Sequence, residues 1–304
     1  MKKLGSITIV VLLTLMIPCS LLAGGASEKE FVLPSKLIEG ENLEQWLEQG
    51  IVILDTARSP EDFENGHIPN AFYAPREAYW QEVDGIPGMF PGIESTTDWF
   101  ETLGISNTTP VVIYDAGAGL WAARVAWTLA YLGHDNWAVL DGGYGVWSSE
   151  ERPLEQGPSD PNRPIPNATF EPKIREELLV SGDDILWNLE NPDYVVVDTR
   201  SQGEFDGTDV WGPRGGHIPG SKFIEWKLNN TSSTLPVLLG SEELAEFYSS
   251  NDVNPNDTVV TLCQTGVRGA HTWLALTLAG YENVALYDGS WAEWAANEAF
   301  PVEK

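Results

Sequence analysis

Short apolar runs alternate along the chain with stretches at helical spacing, and the alternation is spoken twice. "VILDTARSPEDFENGHIPNAFY" (52–73) and "VVVDTRSQGEFDGTDVWGPRGGHIPGSKFI" (195–224) each give an apolar strand-like run, an Asp, an Arg, a Phe and then Gly-His-Ile-Pro. "PVVIYDAGAGLWAARVAWTLAYLGHDNWAVLDGGYGVW" (110–147) and "DTVVTLCQTGVRGAHTWLALTLAGYENVALYDGSWAEW" (257–294) each give a strand, a glycine-bearing turn, a helix, a Gly, a short strand, Asp-Gly and Trp. Apolar residues at consecutive positions mark buried strands, and those at helical spacing mark amphipathic helices. Strands alternating with helices predict βαβ units around a parallel sheet. The fold class is therefore α/β: two tandem, similar domains, each a central, mostly parallel sheet flanked by helices.

The repeats are unequal in two places. The second copy carries eight extra residues between Phe205 and His217, compared with Phe63 and His67. Asp55 stands three residues before Arg58, whereas Asp198 stands two before Arg200, which predicts that the first copy has drifted structurally and is not held to a catalytic geometry. Between the copies, "SSEERPLEQGPSDPNRPIPNATFEPKI" (148–174) holds six prolines and little periodicity, so it reads as a linker. The predicted boundaries are 31–150 for the first domain, 151–172 for the crossing and 173–304 for the second.

Residues 1–26 follow another pattern. Lys2 and Lys3 precede the apolar Ile7 to Ile17, and small residues around Gly24 and Ala26 follow. That order predicts a cleaved export signal and a periplasmic or secreted protein. The apolar run is short for a membrane span, which needs about 20 residues. A lipid anchor at Cys19 is the alternative, with Pro18 a poor fit to it. In either case Cys263 is the one thiol of the mature chain, and no disulfide can form within it.

Composition changes this picture in one respect. The formal net charge of −28 argues against nucleic acid and against anionic membranes as partners. No residues cluster at metal-ligand spacing, so neither a metal nor a cofactor is called for.

The chemistry is concentrated in "CQTGVR" (263–268). A predicted strand, Thr258 to Leu262, ends at the cysteine, and a helix is expected from Gly269 or Ala270. Backbone N–H groups of a loop curled between them form a nest that, with the positive helix end, stabilises an anion at Cys263 Sγ. Such a field favours the thiolate over a thiol whose free pKa is ~8.5. Gly266 supplies freedom at positive φ. Arg268 adds a positive charge for an anionic substrate. No histidine base is required: His67 and His217 recur at equivalent places, one of them in the half without a cysteine, and so read as structural. His271 reads as a capping or packing residue, His134 as part of a surface turn.

Taken together, Asp198, Arg200 and Phe205, Gly-His-Ile-Pro-Gly (216–220), the Cys-led loop and Asp-Gly-Ser-Trp-x-x-Trp (288–294) resemble the tandem two-domain rhodanese sulfurtransferases. The resemblance runs in order from about residue 31 to 300. It implies an active C-terminal domain and a silent N-terminal one, and aligning the repeats sets Asp115 where Cys263 stands. It also implies that Cys263 takes sulfur from a small anionic donor as a persulfide and passes it to cyanide or a thiol. Gln264, Thr265, Gly266, Val267 and Arg268 would then hold the donor. The chain departs from the mammalian thiosulfate enzymes, whose two basic residues after the cysteine are Gln264 and Thr265 here. A position often basic in them falls near Glu204. Thiosulfate is the expected donor and 3-mercaptopyruvate the alternative. A further alternative is a carrier handing its sulfur to one protein acceptor. Phosphatases and arsenate reductases of similar fold have a loop one residue longer, which six positions from Cys263 to Arg268 disfavour.

Overall fold

The computed structural model describes residues 31–56, 58–159 and 165–304. Residues 1–30, which carry the export reading and Cys19, lie outside the described residues. Residues 31–304 form one compact unit.

The first half runs β1 (Leu37–Ile38), α1 (Gly40–Trp46), β2 (Val52–Thr56), α2 (Pro60–Asn65), β3 (Ala71–Ala74), β4 (Gln81–Val83), β5 (Ile86–Met89), α3 (Ile93–Thr102), β6 (Val111–Tyr114), α4 (Leu120–Tyr131), β7 (Trp137–Leu140) and α5 (Gly143–Ser149). The second runs β8 (Leu179–Val180), α6 (Gly182–Asn188), β9 (Tyr194–Asp198), α7 (Gln202–Phe205), β10 (Lys222–Phe223), α8 (Ser241–Ser250), β11 (Thr258–Leu262), α9 (Val267–Leu278), β12 (Val284–Tyr287) and α10 (Ser290–Ala296). The sheet orders are β1-β7-β6-β2-β3 and β8-β12-β11-β9-β10, so the two domains share one topology. Every pairing in the two five-stranded sheets is parallel. Helices on both faces cover these sheets, which is why β6, β7 and β12 are apolar at nearly every position.

Each domain has an outer core. One gathers Ile53, Phe63, Tyr114 and Trp147, the other Val196, Leu262, Tyr287 and Trp294. A third core is shared by the two halves: Leu54, Ile113, Trp127 and Val139 join Val197, Trp273, Leu274 and Leu286 in one continuous cluster. It forms because α4 and α9 lie against each other, with Trp137 and Trp273 rings 5.9 Å apart. The crossing segment is pinned to this core by Phe170, which is buried against Phe100 at 5.3 Å.

Two expectations change. Helix α9 begins at Val267, so Arg268 belongs to its first turn and the loop proper is Cys263–Gly266. Gly266, at φ 78°, is the residue that lets the helix start so early, because this left-handed backbone turns the chain directly from the loop into the helix. His134 is not on a surface turn: it is fully buried and stacked on Phe170, and burial lowers its pKa to about 4.

Candidate active site

The C-terminal end of β11 in an open parallel sheet points into the crevice where such folds bind ligands. Cys263 stands there, 1% exposed. The Thr265 N–H points at Sγ, 3.4 Å away. The Ser290 hydroxyl accepts the N–H of Cys263 at 3.2 Å and of Gly266 at 3.0 Å, and donates to Tyr287 O at 2.8 Å. It thereby fixes the loop at both ends. Ser290 has φ 51°, a left-handed value, and its counterpart in the first domain is Gly143, also at φ 51°. The second domain thus keeps a strained serine where a glycine would be comfortable, and the hydroxyl's two loop contacts are what that strain supports.

Arg268 does not stand free as a cation. Its Nη1 and Nη2 grip the two oxygens of Glu204 at 2.7 and 2.8 Å. Burial works to raise the Glu204 pKa, but the Arg268 hydrogen bonds, with those from Ser201 and the Arg268 charge, pull it down to about 2. Burial opposes the Arg268 charge, and Glu204, followed by the nearby Cys263 sulfur, holds the guanidinium protonated more firmly than usual. The charge expected for the substrate is therefore matched by a carboxylate at the very position that sequence comparison placed among the often-basic ones.

The eight extra residues of the second copy also come to the loop: Gln264 Nε2 donates to Trp211 O at 2.7 Å. Val210 and Trp211 are exposed beside it. Arg200 and Arg214, by contrast, are structural. Arg200 is buried, bridges Asp198 at 2.7 Å, donates to Gly216 O and lies 4.4 Å from the Trp291 ring centroid. Arg214 donates to the carbonyls of Trp294, Ala295, Asn297 and Phe300. The first domain repeats the Arg200 arrangement despite its shifted spacing: Arg58 meets Asp55 at 2.8 Å, Gly66 O at 3.0 Å and the Tyr144 ring at 3.7 Å. The expected drift is absent here, because a scaffold contact has been kept by moving the arginine along the turn. His67 and His217 are likewise twins, stacked on Phe63 and Phe205 at 3.8 and 3.7 Å.

Hydrogen bonds confirm the match of Asp115 with Cys263. Tyr144 N–H reaches Asp115 O just as Trp291 N–H reaches Cys263 O. The first loop is one residue longer before its helix, and its nest is filled from within. The Asp115 carboxylate accepts the N–H groups of Gly117 at 2.9 Å, Gly119 at 3.1 Å and Trp121 at 2.9 Å. In the first domain, then, this strand-to-helix turn gathers its backbone N–H groups on a carboxylate.

The first domain also completes the second. Arg124 of α4, fully buried, pairs with Asp288 and donates to Gly88 O at 3.2 Å and Tyr79 O at 3.3 Å. Phe90 N–H donates to Asp288 Oδ2 at 2.6 Å. Reciprocally, Asp141 accepts Leu238 N–H at 2.9 Å. His271 Nε2 meets Ala118 O at 3.0 Å, which makes it the donor, and burial lowers the His271 pKa to about 4. The β4–β5 hairpin lies on the Cys263 loop so closely that a Cβ at Gly88 would sit 2.6 Å from Thr265 Cβ. Neither this lid-like contact nor the Ser290 clamp was visible in the sequence, where the Asp-Gly-Ser-Trp signature was the only pointer to the latter.

Fold and loop together define a tandem α/β protein with a cysteine-led strand-to-helix loop at a domain interface. The chain belongs to the rhodanese family: the rhodanese-like domain pattern matches residues 39–150 and 181–297. It is 33% identical to thiosulfate/3-mercaptopyruvate sulfurtransferase 2 of Arabidopsis thaliana, over 81% of this chain and 77% of that one. It is 34% identical to 3-mercaptopyruvate sulfurtransferase of Rattus norvegicus, over 77% and 78% of the two chains. The crystal structure of YnjE is similar at TM-score 0.76 and 25% identity, covering 88% of this chain and 68% of that one. The protein is thus a sulfurtransferase of the rhodanese type, a transferase of sulfur-containing groups.

Proposed function

We propose that the protein moves a sulfane sulfur from thiosulfate to a thiophilic acceptor through a persulfide on Cys263. The Cys263 thiolate attacks the outer sulfur of the donor; the S–S bond of thiosulfate breaks and sulfite leaves with its electron pair. A thiolate or cyanide acceptor then attacks the outer sulfur of the persulfide and restores the Cys263 thiolate. This is covalent catalysis in two displacements. The observation that carries the reading is the Cys263 loop itself: the one thiol among the described residues, buried, with the Thr265 N–H on its sulfur and its backbone fixed by Ser290. The Asp115 carboxylate in the matching nest supports an anionic occupant.

A donor panel of thiosulfate and 3-mercaptopyruvate, with cyanide and dithiol acceptors, tests it. Thiosulfate should give the higher kcat/KM, and Cys263→Ser should abolish transfer from both donors with unchanged thermal stability. Residual transfer in that variant above about one per cent of wild type would refute the persulfide route. The 3-mercaptopyruvate alternative is supported by the named relatives that use it. We also propose export with cleavage after Ala26, supported by the basic, apolar and small order of residues 1–26. Mass measurement of the mature N-terminus decides between that and an anchor on Cys19.

A further inference from the structure

The site as described lacks a free positive charge. Arg268 is matched by Glu204, Arg200 by Asp198 and Arg124 by Asp288, and Arg214 is turned away onto the carbonyls of Trp294, Ala295, Asn297 and Phe300. An anionic donor must nonetheless approach a chain whose formal charge is −28. One exposed cation near the loop makes no ion pair among the described residues, and it comes from the first domain. Arg76 is exposed, and its guanidinium lies 4.4 Å from the ring centroid of Trp121 and 6.0 Å from that of Trp80. The two indoles meet edge to face at 6.1 Å.

This aromatic seat adjoins the Cys263 loop. A Cβ built on Gly88 would lie 2.6 Å from Trp80 Nε1 and 2.6 Å from Thr265 Cβ, so Trp80 and Thr265 flank one glycine. Trp80 Nε1–H is buried yet has no hydrogen-bond partner among the described residues. Trp121 occupies the position in α4 that Arg268 occupies in α9, two residues into the helix after the loop's last glycine. The first domain has replaced a loop cation with a ring, and the ring carries a cation from elsewhere. Stacking of this kind holds a guanidinium in place without a carboxylate to cancel its charge.

We propose that Arg76, seated on Trp80 and Trp121, is the cation at the mouth of the Cys263 site that captures the anionic sulfur donor. The inference rests on the persulfide reading above and names the residue that sets donor affinity. Arg76 draws the anion from solvent against the repulsion of the acidic surface and holds it at the mouth of the loop. The charge acts over about one Debye length, ~10 Å at 0.1 M salt, so its effect is screened as salt rises.

Two measurements on the full chain test this. In steady-state turnover with thiosulfate, Arg76→Ala should lower kcat/KM by about 3- to 10-fold through KM, with kcat moving far less, as expected for steering by one charge. Its kcat/KM should also depend less steeply on ionic strength. Arg76→Lys should recover part of the affinity, and Arg76→Glu should lose more than the alanine variant. Separately, calorimetric titration of thiosulfate into Cys263→Ser, with and without Arg76→Ala, reads donor capture without turnover. Wild-type kcat/KM and salt dependence in Arg76→Ala, with unchanged thiosulfate binding in the Cys263→Ser background, would overturn the inference and leave the persulfide reading intact. Weakened thiosulfate binding in that background, without any sulfur transfer by wild type, would sustain Arg76 as the anion-capturing residue and overturn the persulfide reading instead.

Discussion

Glu204 and Arg268 set the electrostatics of the loop as a pair, and neither can be judged alone. The pair is partly buried, at 8% and 22% side-chain exposure, so removing one partner leaves a desolvated charge. Arg268→Ala should therefore destabilise the fold by about 1.5–3 kcal/mol as well as slow transfer. Glu204→Gln should instead free the guanidinium and lower KM for thiosulfate by up to about 5-fold, the value of one partly exposed charge contact. The pH dependence follows from the direction of the Glu204 shift, from an ordinary 4.5 down to about 2. A depressed carboxylate contributes stability that is complete above pH 4.5 and is lost as pH falls from there to about 2. Melting curves across that window should show the loss in wild type and its absence in Glu204→Gln.

Ser290 makes the second case at the scale of one residue. Its hydroxyl ties Cys263 N–H and Gly266 N–H to one point from a left-handed backbone. Ser290→Gly should relieve the backbone yet still lose activity, and Ser290→Ala should lower kcat by up to about 10²-fold through misplacement of Sγ. Wild-type kcat in both variants would show that the loop holds its shape unaided.

At the scale of elements, the two strand-to-helix turns are one device used in two ways. The turn after β11 carries the Cys263 thiol with one backbone N–H on its sulfur, whereas the turn after β6 is closed by the Asp115 carboxylate. Asp115→Asn should cost about 1–3 kcal/mol of stability, because one carboxylate there serves four N–H groups and an amide cannot satisfy all of them. Chemical denaturation measures it, and an unchanged midpoint would mean that the nest does not need an anion. The elements themselves were legible: the duplicated apolar runs gave both sheets, and the Gly-Val-Arg stretch gave the loop's place. The start of α9 at Val267 was not, because it depends on Gly266 adopting a positive φ, which a sequence permits without stating. The Arg58 contact is not legible either, since a one-residue slip in spacing resembles decay although the turn absorbs it.

For the whole molecule, the interface between domains is part of the active site. Asp288 meets Arg124 and Phe90 across it, Asp141 meets Leu238, and Gly88 lies on Thr265. None of these contacts could be read from one chain of letters, because each joins residues 97 or more positions apart through the packing of α4 on α9. A first domain with Asp115 in the place of the cysteine is consequently not a dispensable one. Residues 171–304 expressed alone would expose the face of α9 that carries Trp273 and Leu274, and leave Asp288 without its arginine. That fragment should melt well below the full chain and transfer sulfur poorly; equal stability and activity would contradict the shared-core account.

The central claim is that the transferred sulfur resides on Cys263, and intact-mass analysis of the full chain after brief exposure to thiosulfate tests it most directly. The account predicts a gain of one sulfur atom, located by digestion to the peptide that contains Cys263, removed by cyanide and absent in Cys263→Ser. Steady transfer of sulfur from thiosulfate to cyanide with no such adduct at Cys263 would contradict it.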